Sequence, residues 1–348
     1  MTAVNGGGLR VSAREGSAVV HWVMRELRRP VVVIGVAIIV GVPLALLVLL
    51  PGLADPSSVA TSRDPAIAIR ALKADLIERL SSAPSVVVLG GSRATRFDPA
   101  YIKARTGSSA FNAAVFGARP DDEWAFVNLL HSRFPNAHFR FVWVIHADEF
   151  GGRTPDKVLL EDPLLSRYFP PTFVAQWSNR LGVMAKSFPL IAQAQDMVIA
   201  PDGQTVHSPM DVRVHTVSLA RRVKTTIDTT VESYASLPPR LGPERLRYFA
   251  KTLALMKSKG DKVVIVMAPL QPAYLAAVRD HGWSVRHRLV VDYVRGLQAR
   301  FGFRFLDLSR AASVGASPNG FYDGVHLRAS TSRLVVDKII KTYPRALR

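Results

Sequence analysis

Short apolar runs alternating with stretches of helical period constrain this chain more than any other feature. Ser85–Leu89 (SVVVL), Phe139–Ile145 (FRFVWVI) and Lys262–Ala268 (KVVIVMA) are too short for core helices and rich in β-branched or aromatic residues, so they predict buried strands. Ser109–Ala113 and Phe303–Leu306 extend the series. Asp121–Arg133, Gly242–Ser258 and Trp283–Phe301 carry apolar residues at helical spacing. So do Ser330–Tyr343 and Ala66–Leu80, the latter through Ile67, Ile69, Leu72, Leu76 and Leu80. Strands separated by helices pair in parallel, which predicts an α/β fold with a doubly wound parallel sheet. Residues 151–241 break the rhythm with Pro, Asp, Ser and short apolar clusters. They read as an insertion between the third and fourth strands, within a domain spanning 66–348. An insertion there either shapes a binding cleft or packs as an irregular subdomain.

The N-terminal part obeys a different rule. Val31–Leu50 is twenty residues without a charge. At helical rise that is about 30 Å, the thickness of a bilayer core. Arg25, Arg28 and Arg29 precede it, while Asp55 follows and the next positive residue is Arg63. The positive-inside rule predicts a single-pass membrane anchor over 30–53, a basic cytoplasmic tail over 1–29 and everything later outside the cell membrane. Residues 54–65 read as a linker. A cleaved signal peptide is the alternative, but its apolar core runs only about 7–15 residues.

The 348 residues carry a net charge of +18 and no cysteine. The charge favours anionic partners. No base-reading motif accompanies it, so nucleic acid is not among the expected partners. The lack of cysteine excludes disulfides and thiolate metal sites. No pattern calls for a metal or cofactor.

Chemistry must therefore come from ordinary side chains at the carboxyl ends of the strands, where open sheets bind ligands. Ser92 follows the first strand in Gly90-Gly91-Ser92-Arg93. A serine in that position either caps a following helix or attacks as a nucleophile, and attack requires a base. Of nine histidines, His326 stands out in Phe321-Tyr322-Asp323-Gly324-Val325-His326-Leu327. One short loop carries both a base and the carboxylate that could orient it, between the last strand and the last helix. A structural histidine beside a turn aspartate is the plainer alternative. His146 ends a strand and is a candidate to line the cleft. Arg93 and Arg96 are candidates to bind an anionic substrate or to lie solvated. Asp148 and Glu149 read as solvated or capping groups. The fifth position of the motif that begins at Gly90 is Ala94 rather than glycine, against an α/β-hydrolase elbow, and no phosphate-binding glycine pattern surrounds the turn.

Gly90-Gly91-Ser92 with a late Asp323-x-x-His326 resembles the SGNH/GDSL hydrolase superfamily. The likeness covers roughly residues 85–150 and 260–345. Phe111–Ala118 resembles the second block, whose glycine is matched by Gly117. Gly91 stands where the family usually has aspartate, and His146-Ala147-Asp148-Glu149 stands where it has Gly-x-Asn-Asp, without the asparagine. The resemblance implies a flavodoxin-like sheet of SGNH type and a catalytic set of Ser92, Asp323 and His326. It implies an oxyanion hole from the backbone N–H groups of Ser92 and Gly117. Membrane-anchored relatives act in alginate O-acetylation and D-alanine transfer to teichoic acids. By that likeness the chain is an extracytoplasmic esterase or O-acyltransferase on acyl esters of an envelope polysaccharide, with a membrane acyl-donor protein as a candidate partner. The alternative is a catalytically inactive envelope protein that binds or scaffolds anionic wall polymers.

Overall fold

Five strands form a wholly parallel sheet, and the side-chain period of two sorts their residues onto its faces. The computed structural model describes residues 65–151, 159, 162–169, 197–236 and 240–348. The expected tail, the span Val31–Leu50, all of the linker except Pro65, and much of 151–196 lie outside the described residues. Among those described, no helix is long and apolar enough to cross a membrane.

In chain order the elements are α1 (Pro65–Arg79), β1 (Val86–Gly90), α2 (Pro99–Thr106), β2 (Ala110–Asn112), α3 (Pro120–Arg133) and β3 (Arg140–Ile145). A separate hairpin follows, β4 (Val198–Ile199) and β5 (Thr205–His207), then α4 (Pro209–Thr216), α5 (Leu219–Ser236) and α6 (Pro243–Ser258). The chain returns to the sheet with β6 (Lys262–Met267), α7 (Pro272–Val278), α8 (Ser284–Phe301), β7 (Arg304–Asp307) and α9 (Ala329–Thr342). The sheet order is β2-β1-β3-β6-β7. From β1 the chain first adds a strand on one side and then builds out on the other. The direction reverses between β1 and β3, the point where such sheets open a crevice for ligands.

Both faces of the central strands are covered, which is why β1 reads as an unbroken apolar run. Val87, Leu89, Phe141, Trp143, Ile145 and Ile265 pack beneath α1, α3, α6 and α8. Val86, Val88, Val142, Val144, Val264 and Val266 pack beneath α2 and α9, against Phe97, Ile102, Val335, Val336 and Ile339. A fully buried aliphatic side chain contributes roughly 1.5–3 kcal/mol, so these two layers dominate the folding energy.

The sequence places α1 correctly but misjudges its buried face. Leu72 and Leu76 are only half-buried, while Arg70 and Lys73 are 2% and 0% exposed. The reason is partner groups from distant elements. Arg70 binds Asp122 on α3 at 2.6 Å, and Lys73 donates to Asn112 Oδ1 and the Ala114 carbonyl. Helix α2 escapes the apolar period because it is short. Its ends are chemically marked: Asp98 accepts from the Tyr101 N–H at 3.0 Å, Pro99 opens it, and Gly107 closes it at φ +78°.

Candidate active site

The turn that carries Ser92 exists because Gly90 permits it. This residue has φ +133°, and a Cβ there would sit 2.2 Å from the Val144 carbonyl oxygen of β3. Only glycine lets β1 approach β3 this closely while turning out of the sheet. The turn then closes through the Ala94 N–H to the Gly91 carbonyl at 2.9 Å, and leaves Ser92 half-exposed above the β1/β3 crevice.

Ser92, His326 and Asp323 are brought together. Ser92 Oγ lies 2.9 Å from His326 Nε2, and His326 Nδ1 lies 2.7 Å from Asp323 Oδ2. The carboxylate can only accept, so Nδ1 carries the proton and Nε2 accepts from the serine hydroxyl. The other carboxylate oxygen, Asp323 Oδ1, accepts from the backbone N–H groups of Val325 and His326 at 2.8 and 2.9 Å. Burial alone would raise the Asp323 carboxyl. Its bonds to His326 and to those two N–H groups hold it below the usual carboxylate range instead. The loop is clamped at its base by a bridge between Phe321 and Leu327, both buried, and by the Tyr322 N–H to the His326 carbonyl at 2.8 Å. Gly324 is needed because a Cβ would lie 2.4 Å from the Tyr274 ring.

Gly117 lies on the loop after β2, exposed, at φ +63°. That loop is tied to the end of β1 by the Ala113 N–H to Val88 at 2.8 Å and the Val115 N–H to Gly90 at 3.0 Å. The backbone N–H groups of Ser92 and Gly117 make no hydrogen bond to any described residue.

Asn112 escaped sequence reading, yet it holds this region in place. Its side chain is fully buried and donates to the carbonyls of Ala94 and Phe97 at 2.9 and 2.8 Å. Its Oδ1 accepts from the Ala114 N–H at 3.0 Å and from Lys73. One amide thus fastens the nucleophile turn to the loop bearing Gly117. Burial drives the Lys73 ammonium well below its ordinary value, with Asp202 opposing. An asparagine ending a strand carries no such signal in one dimension.

The arginines of the turn are not solvated. Arg93 is buried and reaches Asp148 at 3.4 Å. Arg96 is 5% exposed and donates to the carbonyls of Thr205 and Val206 at 2.9 and 2.8 Å, to Ser208 Oγ, and to Asp211. It anchors β5 and the start of α4 instead of lying solvated. Asp211 in turn accepts from the Tyr322 hydroxyl at 2.6 Å, so it touches both the Ser92 turn and the His326 loop.

His146 follows β3 and borders Gly91, whose hypothetical Cβ would lie 3.4 Å from His146 Nε2. Burial first, then the nearby Arg93 charge, lowers His146 to about 4, so it is neutral at pH 7. Glu149 is buried rather than solvated, 3.2 Å from His146 Nε2. Glu123 of α3 is equally buried, and its carboxyl oxygens make no hydrogen bond among the described residues. Desolvation raises both carboxyls well above their ordinary value, and each feels other acidic groups nearby: Glu149 and Asp122 raise Glu123, and Asp148 raises Glu149. No cluster of His, Asp and Glu suited to a metal ion occurs among the described residues.

No protein-family model matches this chain, and no curated protein does. Twelve chains of solved structure match. One is a carbohydrate acetylesterase family member from Sinorhizobium meliloti, at 13% identity and TM-score 0.33, over 76% of this chain and 99% of that one. At that TM-score the likeness carries no weight for chemistry, which rests on the geometry of Ser92, His326 and Asp323.

Proposed function

We propose that the chain is a serine esterase or O-acyltransferase of SGNH type, acting outside the cell membrane on acyl esters of an envelope glycan. The hydrogen-bonded series Ser92–His326–Asp323 carries this reading. Ser92 Oγ attacks the ester carbonyl while its proton passes to His326 Nε2. Asp323 holds the ring in the accepting tautomer and stabilises the imidazolium. The carbonyl oxygen becomes an oxyanion held by the N–H groups of Ser92 and Gly117. When the intermediate collapses, the C–O bond to the leaving alcohol breaks and His326 returns the proton to that alcohol. Ser92 then carries the acyl group. Water or a glycan hydroxyl attacks it, gives its proton to His326, and restores the serine.

The open N–H pair supports this electrostatic role, which in other enzymes is worth about 100- to 1,000-fold per donor. The uncharged run Val31–Leu50 between a basic tail and the domain supports a membrane-anchored, outward-facing location, within reach of a membrane acyl donor. A fluorophosphonate probe should label the wild type and not Ser92→Ala. A wild type that resists the probe and releases no acetate from p-nitrophenyl acetate overturns the proposal.

A further inference from the structure

On the Asp323 side of the site, the segment between β5 and α6 encloses a cavity of about 280 Å³. Three guanidinium groups line it: Arg213 on the last turn of α4, and Arg221 and Arg222 near the start of α5. Met210, Val217, Thr225, Tyr322 and Asp323 complete the wall. Arg222 is committed to the fold, since its Nε donates to the Tyr322 carbonyl at 2.5 Å and another nitrogen donates to Val217. Arg213 and Arg221 are exposed, and their side chains make no hydrogen bond or ion pair with the described residues. The one carboxylate on the wall, Asp323, already serves His326. Three positive charges therefore converge on a concave space whose one carboxylate is already paired with His326. Burial and then repulsion from Arg328 hold Arg222 below its ordinary value, with Asp323 opposing.

The cavity is also fixed relative to the reacting groups. Asp211 in α4 binds both Arg96 and Tyr322, so α4 keeps its place beside the His326 loop. We propose that the cavity is an anion subsite, in which Arg213 and Arg221 bind a carboxylate or phosphate carried by the same polymer that presents its ester to Ser92. Guanidinium forks match both anions bidentately. The inference rests on the esterase or acyltransferase reading and narrows its substrate to an acidic glycan.

The test measures binding to the full-length protein by calorimetry. Hexagalacturonate supplies the carboxylate, a mannose-phosphate oligosaccharide the phosphate, and maltohexaose is the neutral control. The wild type should bind at least one anionic oligomer and not the neutral one, more weakly at about 0.5 M than at about 0.05 M salt. Arg213→Gln/Arg221→Gln should weaken that binding by about tenfold or more, since charge-assisted hydrogen bonds are lost. Lys103→Gln/Lys341→Gln removes equal charge from exposed sites on α2 and α9 and should bind like the wild type. Thermal melts confirm that both variants fold. The subsite is overturned if the arginine variant binds as tightly as the wild type, if the neutral oligomer binds equally well, or if neither anionic oligomer binds. Arginine-dependent binding to anionic lipid vesicles without oligosaccharide binding also overturns it. Fluorophosphonate labelling of Ser92 reads the catalytic proposal separately. A labelled protein with arginine-independent binding loses the subsite alone, and an unlabelled protein with arginine-dependent binding loses the catalytic reading alone.

Discussion

Asp323→Asn separates the orienting role of the carboxylate from its structural one. Asp323 Oδ1 accepts from two backbone N–H groups at 2.8 and 2.9 Å, and an asparagine Oδ1 can keep both. The substitution acts on the other oxygen, 2.7 Å from His326 Nδ1. An amide nitrogen there would set two donors against each other. The ring relieves this by moving its proton to Nε2, where it faces Ser92 Oγ and can no longer accept a proton. With the base lost and geometry kept, kcat should fall by about 10,000-fold. That fall corresponds to about 5 kcal/mol of activation free energy. KM should change little, because the substitution acts on the proton position of His326 and leaves the backbone bonds of the loop in place. The variant also loses some stability. Asp323 titrates below its unfolded value, so its contribution is present at neutral pH and fades as pH falls through its folded pKa. The assay is kcat and KM on p-nitrophenyl acetate at pH 7.5, beside the rate of fluorophosphonate labelling and a thermal melt. A folded Asp323→Asn protein within tenfold of wild-type kcat would refute the tautomer argument.

Two further perturbations address the groups behind the serine. Glu149 and Glu123 hold protons in the folded chain that the unfolded chain releases above about pH 4.3, so stability should fall as pH rises from there. Glu149→Gln should therefore gain stability over the wild type between pH 5 and pH 8 in urea denaturation, and parallel stability curves would contradict the burial argument. Asn112→Ala leaves the buried Phe97 carbonyl and the Ala114 N–H without their partner and the Ala94 carbonyl with the Phe97 N–H alone, which should cost about 2–4 kcal/mol in urea denaturation. It should also lower kcat more than it raises KM, and an unchanged kcat would show that the nucleophile turn holds its shape without this amide.

The sheet was legible because its central strands are buried on both faces. Such strands leave unbroken apolar runs like Val86–Leu89, and alternation with helices dictates parallel pairing. The chemistry-bearing residues were readable from chain order and sheet edge. The hydrogen bond between Ser92 and His326 crosses 234 residues, and only coordinates supply its length. The polar interior was not legible. Periodicity treats every charge as outward-facing, whereas Lys73, Arg96 and Glu149 are buried by partners or neighbours remote in sequence. Gly91 is instructive in the same way. The sequence presents it as a missing aspartate, while the structure shows that a side chain there would head into the space of His146 and Glu149. The helices α4 and α5 were hidden in a segment whose Pro and Ser content reads as irregular. The apolar side of α5, including Val223 and Ile227, packs on α7 residues such as Tyr274 and Val278 and not on the sheet cores.

The link through Asp211 has a consequence for the proposed catalytic cycle. Once Ser92 is acylated its hydroxyl proton is gone, and so is the hydrogen bond that joins it to His326. At that stage the two loops, one from each end of the domain, lose their direct bond at the moment when His326 must receive a proton from the incoming hydroxyl. The path from Arg96 through Asp211 to the Tyr322 hydroxyl does not involve the reacting atoms and persists through that stage. Inside the 234-residue separation of Ser92 and His326 it makes two shorter spans, of 115 residues from Arg96 to Asp211 and 111 from Asp211 to Tyr322, each closed by its own bond. The segment between β5 and α6 thereby acts as a memory of alignment: the base stays aimed while the bond that displays that aim is absent.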